Sequence, residues 1–231
     1  MVGIQLLSNV LDLENCYKDF KNKNMPTNLK GFGEYHEIWQ ILNLYHPKNI
    51  IEVGCWYGFC SILFAKYLKE SKSEDPFVIS VDTWLGGVDH WIENKNGVVT
   101  ISDFVKNDLN IKNAEPNFYF EFLNNVAKSG YSEYILPLRQ TSANAGVILK
   151  NLGVKADLIY VDGSHETKDC YDDLNLYWDL LSDNGVLLID DLHCINITDA
   201  IQQFMQYKNL NQSCLINYFP RAIITKSNSG V

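Results

Sequence analysis

The chain reads as one α/β domain, a Rossmann-like seven-stranded and mostly parallel sheet with helices on both faces. Apolar runs of strand length, rich in Val, Ile and Tyr, alternate with longer segments of helical periodicity, the pattern of parallel strands joined by crossover helices. Seven such runs occur, near Asn49–Gly54, Phe77–Thr83, Tyr134–Arg139, Asp157–Asp162, Val186–Asp190, Cys214–Tyr218 and Ala222–Lys226. Only Phe219-Pro220-Arg221 separates the last two. A link of hairpin length makes one of them antiparallel, so the sheet is expected to end on one reversed strand.

Helices fit between the strands at about Glu34–Tyr45, Phe59–Ser71, Asn117–Ser129, Ser142–Leu152, Thr167–Leu181 and Thr198–Tyr207, several opening on a Ser, Thr or Asn suited to an N-cap. At 231 residues and 46% hydrophobic residues, one sizeable core is within reach and two full domains would be a tight fit. Residues 1–30 read as a peripheral helix and linker. Residues 84–116 hold Gly86-Gly87 and Asn96-Gly97 without clear periodicity, and a structureless insertion of that length suits a lid or binding loop.

Composition narrows the function. The net charge of −9, with acids spread along the chain and no Lys/Arg run, disfavours a nucleic-acid partner. Cys16, Cys55, Cys60, Cys170, Cys194 and Cys214 form no C-x-x-C pair or framework spacing. They read as reduced, core-type thiols of a cytoplasmic protein. No window approaches the run of about 18 apolar residues that a membrane span needs, and no basic segment followed by an apolar one opens the chain.

The strand ends carry the chemistry. Tyr160-Val161-Asp162-Gly163-Ser164-His165 and Val186-Leu187-Leu188-Ile189-Asp190-Asp191-Leu192-His193 are apolar runs that break into acids and a histidine. Two neighbouring strands would thus deliver Asp162, Asp190, Asp191, His165 and His193 to one rim. The first strand ends Glu52-Val53-Gly54-Cys55-Trp56-Tyr57-Gly58. Gly54 allows a sharp turn and close approach to a ligand, and Gly58 lets the next helix start against it. The G-x-x-x-G spacing is not the G-x-G-x-x-G of dinucleotide sites, which disfavours a dinucleotide-dependent oxidoreductase; Glu52 would repel a pyrophosphate but accept a hydrogen bond from an amine. Asp82, ending the second strand, is suited to bridging the two hydroxyls of a ribose.

Together these residues resemble the class I S-adenosylmethionine-dependent methyltransferases over roughly residues 32–227. Val161-Asp162-Gly163-Ser164-His165, Asp172-Asp173-Leu174, Trp178-Asp179-Leu180-Leu181, Asn184-Gly185 and Asp190-Asp191, with Val81-Asp82-Thr83-Trp84-Leu85-Gly86-Gly87 and His90-Trp91, are similar to the metal-dependent sugar O-methyltransferase branch of macrocin and mycinamicin type. The resemblance implies a cofactor site at Glu52, Gly54, Tyr57, Gly58, Asp82, Thr83, Ser142 and Asp162, with Ser142 near the adenine. It implies a divalent cation, Mg²⁺ first and Mn²⁺ or Ca²⁺ as alternatives, on Asp162, Asp190 and Asp191, and catalysis by His165 with Asp162. A segment such as Gly31-Phe32-Gly33-Glu34 closes over the cofactor in related enzymes.

The chemistry of the residues agrees with that reading. Three converging carboxylates repel one another, and a cation or a proton must relieve them. An all-oxygen donor set favours Mg²⁺, Mn²⁺ or Ca²⁺, and an ion with open positions would orient a sugar diol and lower its hydroxyl pKa. His165 has the right chemistry for a base. Consecutive strand residues point to opposite sides, so Asp190 and Asp191 can share an ion only past the strand end, and a bend is expected there. Trp84, His90 and Trp91 offer faces for a sugar or ordinary lid packing; His193 reads as a substrate contact or a helix cap. Glu166 and Asp172-Asp173 read as a solvated helix face.

The expected activity is O-methylation of a sugar, a deoxyhexose such as rhamnose in a glycan or glycoconjugate. A catechol-type methyltransferase and a non-catalytic nucleotide- or sugar-binding module are the alternatives. The organisation suits a homo-oligomer or a domain of a larger glycan-synthesis enzyme.

Overall fold

The computed structural model describes residues 3–20, 35–102, 111 and 115–226. Strands β1 (Asn49–Val53), β2 (Phe77–Asp82), β5 (Ile135–Arg139), β6 (Ala156–Val161), β7 (Leu181–Ile189), β8 (Leu215–Tyr218) and β9 (Arg221–Thr225) form one sheet in the order β5-β2-β1-β6-β7-β9-β8. Five run parallel. The last strand in the chain, β9, is the reversed one, but it lies between β7 and β8 rather than at the edge. A hairpin partner can pair on its other side with an inner strand, which the chain order does not reveal.

Helices α1 (Ile4–Val10), α6 (Ser142–Asn151), α7 (Thr167–Trp178) and α8 (Ile195–Tyr207) cover one face; α2 (Tyr35–Tyr45), α3 (Phe59–Ser71) and α5 (Phe118–Ser129) cover the other. Successive strand residues feed opposite layers. Ile51, Ile79, Ile159 and Leu187 pack toward α6, α7 and α8, whereas Ile50, Val78, Leu158 and Leu188 pack toward α2, α3 and α5. A Cβ on Gly146 would run into Leu176, so the glycine lets α6 lie close against α7. Helix α8 starts at Ile195, three residues before the expected Thr198 cap, because Cys194 takes the N-cap position and the Thr198 hydroxyl bonds back to the Ile195 carbonyl.

The 84–116 insertion is not structureless where it is described. It holds α4 (Val88–Trp91) and an antiparallel hairpin of β3 (Ile92–Lys95) and β4 (Val98–Ile101). Asn96 and Gly97, at φ 57° and 84°, form the two-residue turn that Asn-Gly favours because both positions need positive φ. Residues 103–110 and 112–114 of the insertion, and the Gly31–Glu34 segment, lie outside the described residues. All six cysteines are free thiols. No described helix is long and apolar enough to cross a membrane.

Candidate active site

The site is built where β1, β2, β6 and β7 end. Gly54 has φ +86°, and a Cβ there would overlap the Asp162 carbonyl and stand 2.9 Å from the Gly163 Cα. Its N–H donates to the Val81 carbonyl at 2.9 Å, while the Asp162 N–H donates to the Val53 carbonyl at 2.8 Å. Three strand ends are thereby joined at a position that tolerates no side chain. Gly58, also at φ +86°, meets the Phe122 ring, which a Cβ would approach to 2.8 Å. Both glycines do what their spacing implies.

The acids behind the turn bond to the protein around them. Asp82 accepts from the Cys55 and Trp56 N–H groups at 2.8 and 3.1 Å and from the Trp84 N–H at 2.7 Å. Both its oxygens hold the loops after β1 and β2 together, and the residue stays partly exposed at the strand end. Burial raises its pKa against the opposing pull of those three amides. Glu52 is only 1% exposed. It accepts from the Ser61 hydroxyl, which also meets Ser80 at 2.8 Å. Burial holds its carboxyl well above the usual range, with Asp162 and Asp82 adding to the shift. Glu52 is therefore an internal acid beneath the turn and does not reach a cofactor amine.

Two aromatic side chains expected at the surface of the site are buried instead. Tyr57 is fully buried against Trp56 and Phe118, leaving only its backbone on the turn. Trp84, 1% exposed, packs on Tyr119 and Phe122 and donates its indole N–H to the Trp56 carbonyl at 3.0 Å, so it offers no face to a sugar. The half-buried aromatic at the turn is instead Trp56, whose ring centroid lies 4.5 Å from that of His90. A tryptophan inside a glycine turn, where small residues are expected, was the available signal. His90 accepts the Gly87 N–H on Nδ1 at 2.8 Å, and Trp91 donates to the Leu85 carbonyl at 2.8 Å. The Thr83 hydroxyl accepts the Leu85 N–H at 3.2 Å.

At the β6–β7 rim the expected bend is present. β7 stops at Ile189, and Asp191 sits at φ +61°. The bend sends the two carboxylates to different partners. Asp191 meets His165 Nε2 at 2.7 Å and His193 Nδ1 at 3.7 Å. Its pKa is lowered, chiefly by the His165 hydrogen bond. Asp190 accepts the Asp191 N–H at 2.8 Å on one oxygen; the other receives the Tyr160 hydroxyl and the Arg221 Nε, the latter at 3.1 Å. Arg221 reaches on to Glu37 at 3.1 Å. Asp162 is half-buried, and loss of water, followed by the nearby charges of Asp190 and Asp191, pushes its pKa well up. Among the described residues no three His, Cys, Asp or Glu side chains are grouped to hold one ion. Asp162, Asp190 and Asp191 share a rim, but they do not stand as a ligand set.

The other expected cofactor residue, Ser142, opens α6 and is gripped from α7. Its carbonyl accepts the Tyr177 hydroxyl at 3.0 Å, and its side chain bonds Asp173. Asp173 is not on a solvated face, as Asp172 and Glu166 are; it is 5% exposed and shares a buried stripe with Cys170, Leu174 and Tyr177. The three- and four-residue spacing of that stripe was the signal in the sequence. Burial raises the Asp173 pKa to about 6. A carboxyl whose folded pKa lies above its unfolded value stabilises the fold below the unfolded pKa and loses that contribution as pH rises through about 6. We expect Asp173→Asn to raise stability at pH 7.5 by on the order of 2 kcal/mol and to flatten the loss between pH 4 and 6. Thermal melts across pH check this, and equal pH slopes for the two proteins would contradict it.

The family model described as "Methyltransferase domain" matches residues 51–192, the segment from β1 to just past the Asp190–Asp191 bend. No curated protein matches the chain significantly. Among solved structures, the O-methyltransferase from Bacillus cereus bound to S-adenosylhomocysteine (SAH) is 12% identical, with 96% of each chain covered and a TM-score of 0.55. CalS11, a calicheamicin methyltransferase, is 16% identical over 96% of this chain and 93% of its own, at 0.56. The O-methyltransferase NovP is 17% identical over 96% and 81%, at 0.54. The chain belongs to the methyltransferase-domain family and has the fold of S-adenosylmethionine-dependent O-methyltransferases.

Proposed function

We propose that this chain moves a methyl group from S-adenosylmethionine to a sugar hydroxyl, a deoxyhexose such as rhamnose in a glycan or glycoconjugate being the acceptor. The observation that carries the reading is the 2.7 Å contact between His165 Nε2 and Asp191 at the rim beside Asp162. A carboxylate on one ring nitrogen fixes the tautomer and stabilises the imidazolium formed when the other nitrogen takes a proton. The His165 side chain is 45% exposed. Bound cofactor supplies an electrophilic methyl on a sulfonium. His165 removes the hydroxyl proton as the oxygen attacks, and the rigid strand ends hold the two reactants in register.

The residues present suit the cofactor in part. In this reading the Gly54–Gly58 turn takes its amino-acid end, Thr83 and Asp162 are further contacts, and Ser142 is the contact for the adenine. Trp56, Trp91 and His90 form a half-exposed aromatic edge on which the apolar face of a deoxysugar would stack. CalS11 acts in calicheamicin chemistry by its name, which is compatible with glycosylated acceptors. The divalent ion does not fit the trio first expected to hold it, because both Asp190 oxygens are taken by protein donors.

Calorimetric titration with S-adenosylmethionine and SAH, then a methyl-transfer assay on rhamnosides and catechols, tests the proposal. Cofactor binding with methylation of a rhamnoside is the expected outcome. Methylation of catechols alone would replace the sugar by an aromatic diol, and absence of binding by either cofactor form would refute a methyltransferase.

A further inference from the structure

Arg221 is the first residue of β9, and the register of that reversed strand decides what it faces. Ala222 pairs with Ile189, so Arg221 stands opposite Asp190, one residue past the end of β7. The guanidinium is buried, 6% exposed. It spans two carboxylates, Asp190 through Nε and Glu37 of α2 through Nη1, both at 3.1 Å. The Leu192 N–H donates to the Pro220 carbonyl at 2.8 Å, which fastens the segment after Asp191 to the turn that carries the arginine.

Around this cation Asp190 and Asp191 are both committed. Asp190 accepts from Arg221, Tyr160 and the Asp191 N–H. Asp191 is shared by His165 and His193. A Mg²⁺ ion demands near-ideal octahedral oxygen geometry and gives up its waters reluctantly. Binding it here would require Asp190 to give up a buried guanidinium that would then keep only Glu37, and separating a buried ion pair is strongly unfavourable.

We propose that Arg221 is the resident cation of this rim, holding Asp190 where a divalent ion would otherwise be bound, so that methyl transfer by this chain needs no divalent ion. The methyltransferase reading underlies only the second half of that statement. Arg221 is a positioning residue in this scheme: it holds Asp190, whose carboxylate fixes the Asp191 N–H and thereby the carboxylate that orients His165.

Mn²⁺ titration of the full chain with SAH present, followed by the electron paramagnetic resonance of free Mn²⁺, tests the first half without reference to activity. Wild-type chain is expected to bind Mn²⁺ no more tightly than about 1 mM. Arg221→Gln, which frees Asp190, is expected to bind about tenfold more tightly or better, and Arg221→Lys is expected to behave as wild type. One tightly held Mn²⁺ per wild-type chain, lost in Asp191→Asn, would overturn the proposal. So would a folded Arg221→Gln protein that gains no affinity. Should Arg221→Gln not fold, the wild-type titration decides alone. Rhamnoside methylation unchanged by EDTA is expected for the second half, and its abolition by EDTA with restoration by Mg²⁺ would overturn it. Failure to methylate any acceptor would count against the methyltransferase reading while leaving the Mn²⁺ result standing.

Discussion

His165→Ala is expected to lower kcat by about 10²- to 10⁴-fold, the usual contribution of a positioned base, with SAH affinity unchanged. The two readouts separate because His165 lies beyond β6, while the glycine turn after β1, the proposed cofactor site, is held by Asp82 and Val81. Asp191→Asn should lose less in rate. The amide would still contact His165 Nε2, but it neither favours the productive tautomer nor stabilises the imidazolium. Because Asp191 works through His165, the double variant should be about as slow as His165→Ala alone. Additive losses would mean that Asp191 acts on the reaction independently. Unchanged kcat in His165→Ala would remove the histidine from the mechanism and turn attention to Asp162, the other group at the strand end.

Most of the fold was legible because its signals are local and repeat. Each of the seven strands is a short apolar run between turn-forming residues, and the crossover helices carry their own periodicity. The β3–β4 hairpin was equally local, since Asn96-Gly97 between β-type residues is a strong turn signal, but the polar Glu93-Asn94-Lys95 strand hid it. The site was legible in which residues meet, less so in what each does. Asp162, Asp191 and His165 converge because adjacent parallel strands end together. The sequence did not show that Asp190 would face Arg221, which depends on the register of a strand arriving from the far end of the chain. Nor did it show that Glu52, Tyr57 and Trp84 would be buried under the turn rather than exposed on it. A motif states which side chains lie near a strand end, whereas burial is decided by the helices packed over it, here α3 and α5.

Gly54→Ala should have the largest effect on the protein as a whole. The position combines positive φ, which costs any L-residue, with a methyl group that would overlap the Asp162 carbonyl. Relief requires β1 and β6 to separate where the Asp162 N–H bonds the Val53 carbonyl. Neither neighbour is a flexible side-chain end that could swing away. We expect a loss of more than about 3 kcal/mol, seen as a fall in Tm of roughly 6 to 12 °C or more for a chain of this size, together with loss of SAH binding. Gly97→Ala is the matched control. It shares the positive φ but has nothing within 4 Å of the added methyl, so it should cost about 1 kcal/mol and leave cofactor binding intact. Equal losses in the two variants would show that backbone strain alone explains Gly54. A much larger loss at Gly54, with binding abolished, would locate the need for glycine in the close approach of β1 to β6, the same approach that sets Asp162 beside the glycine turn.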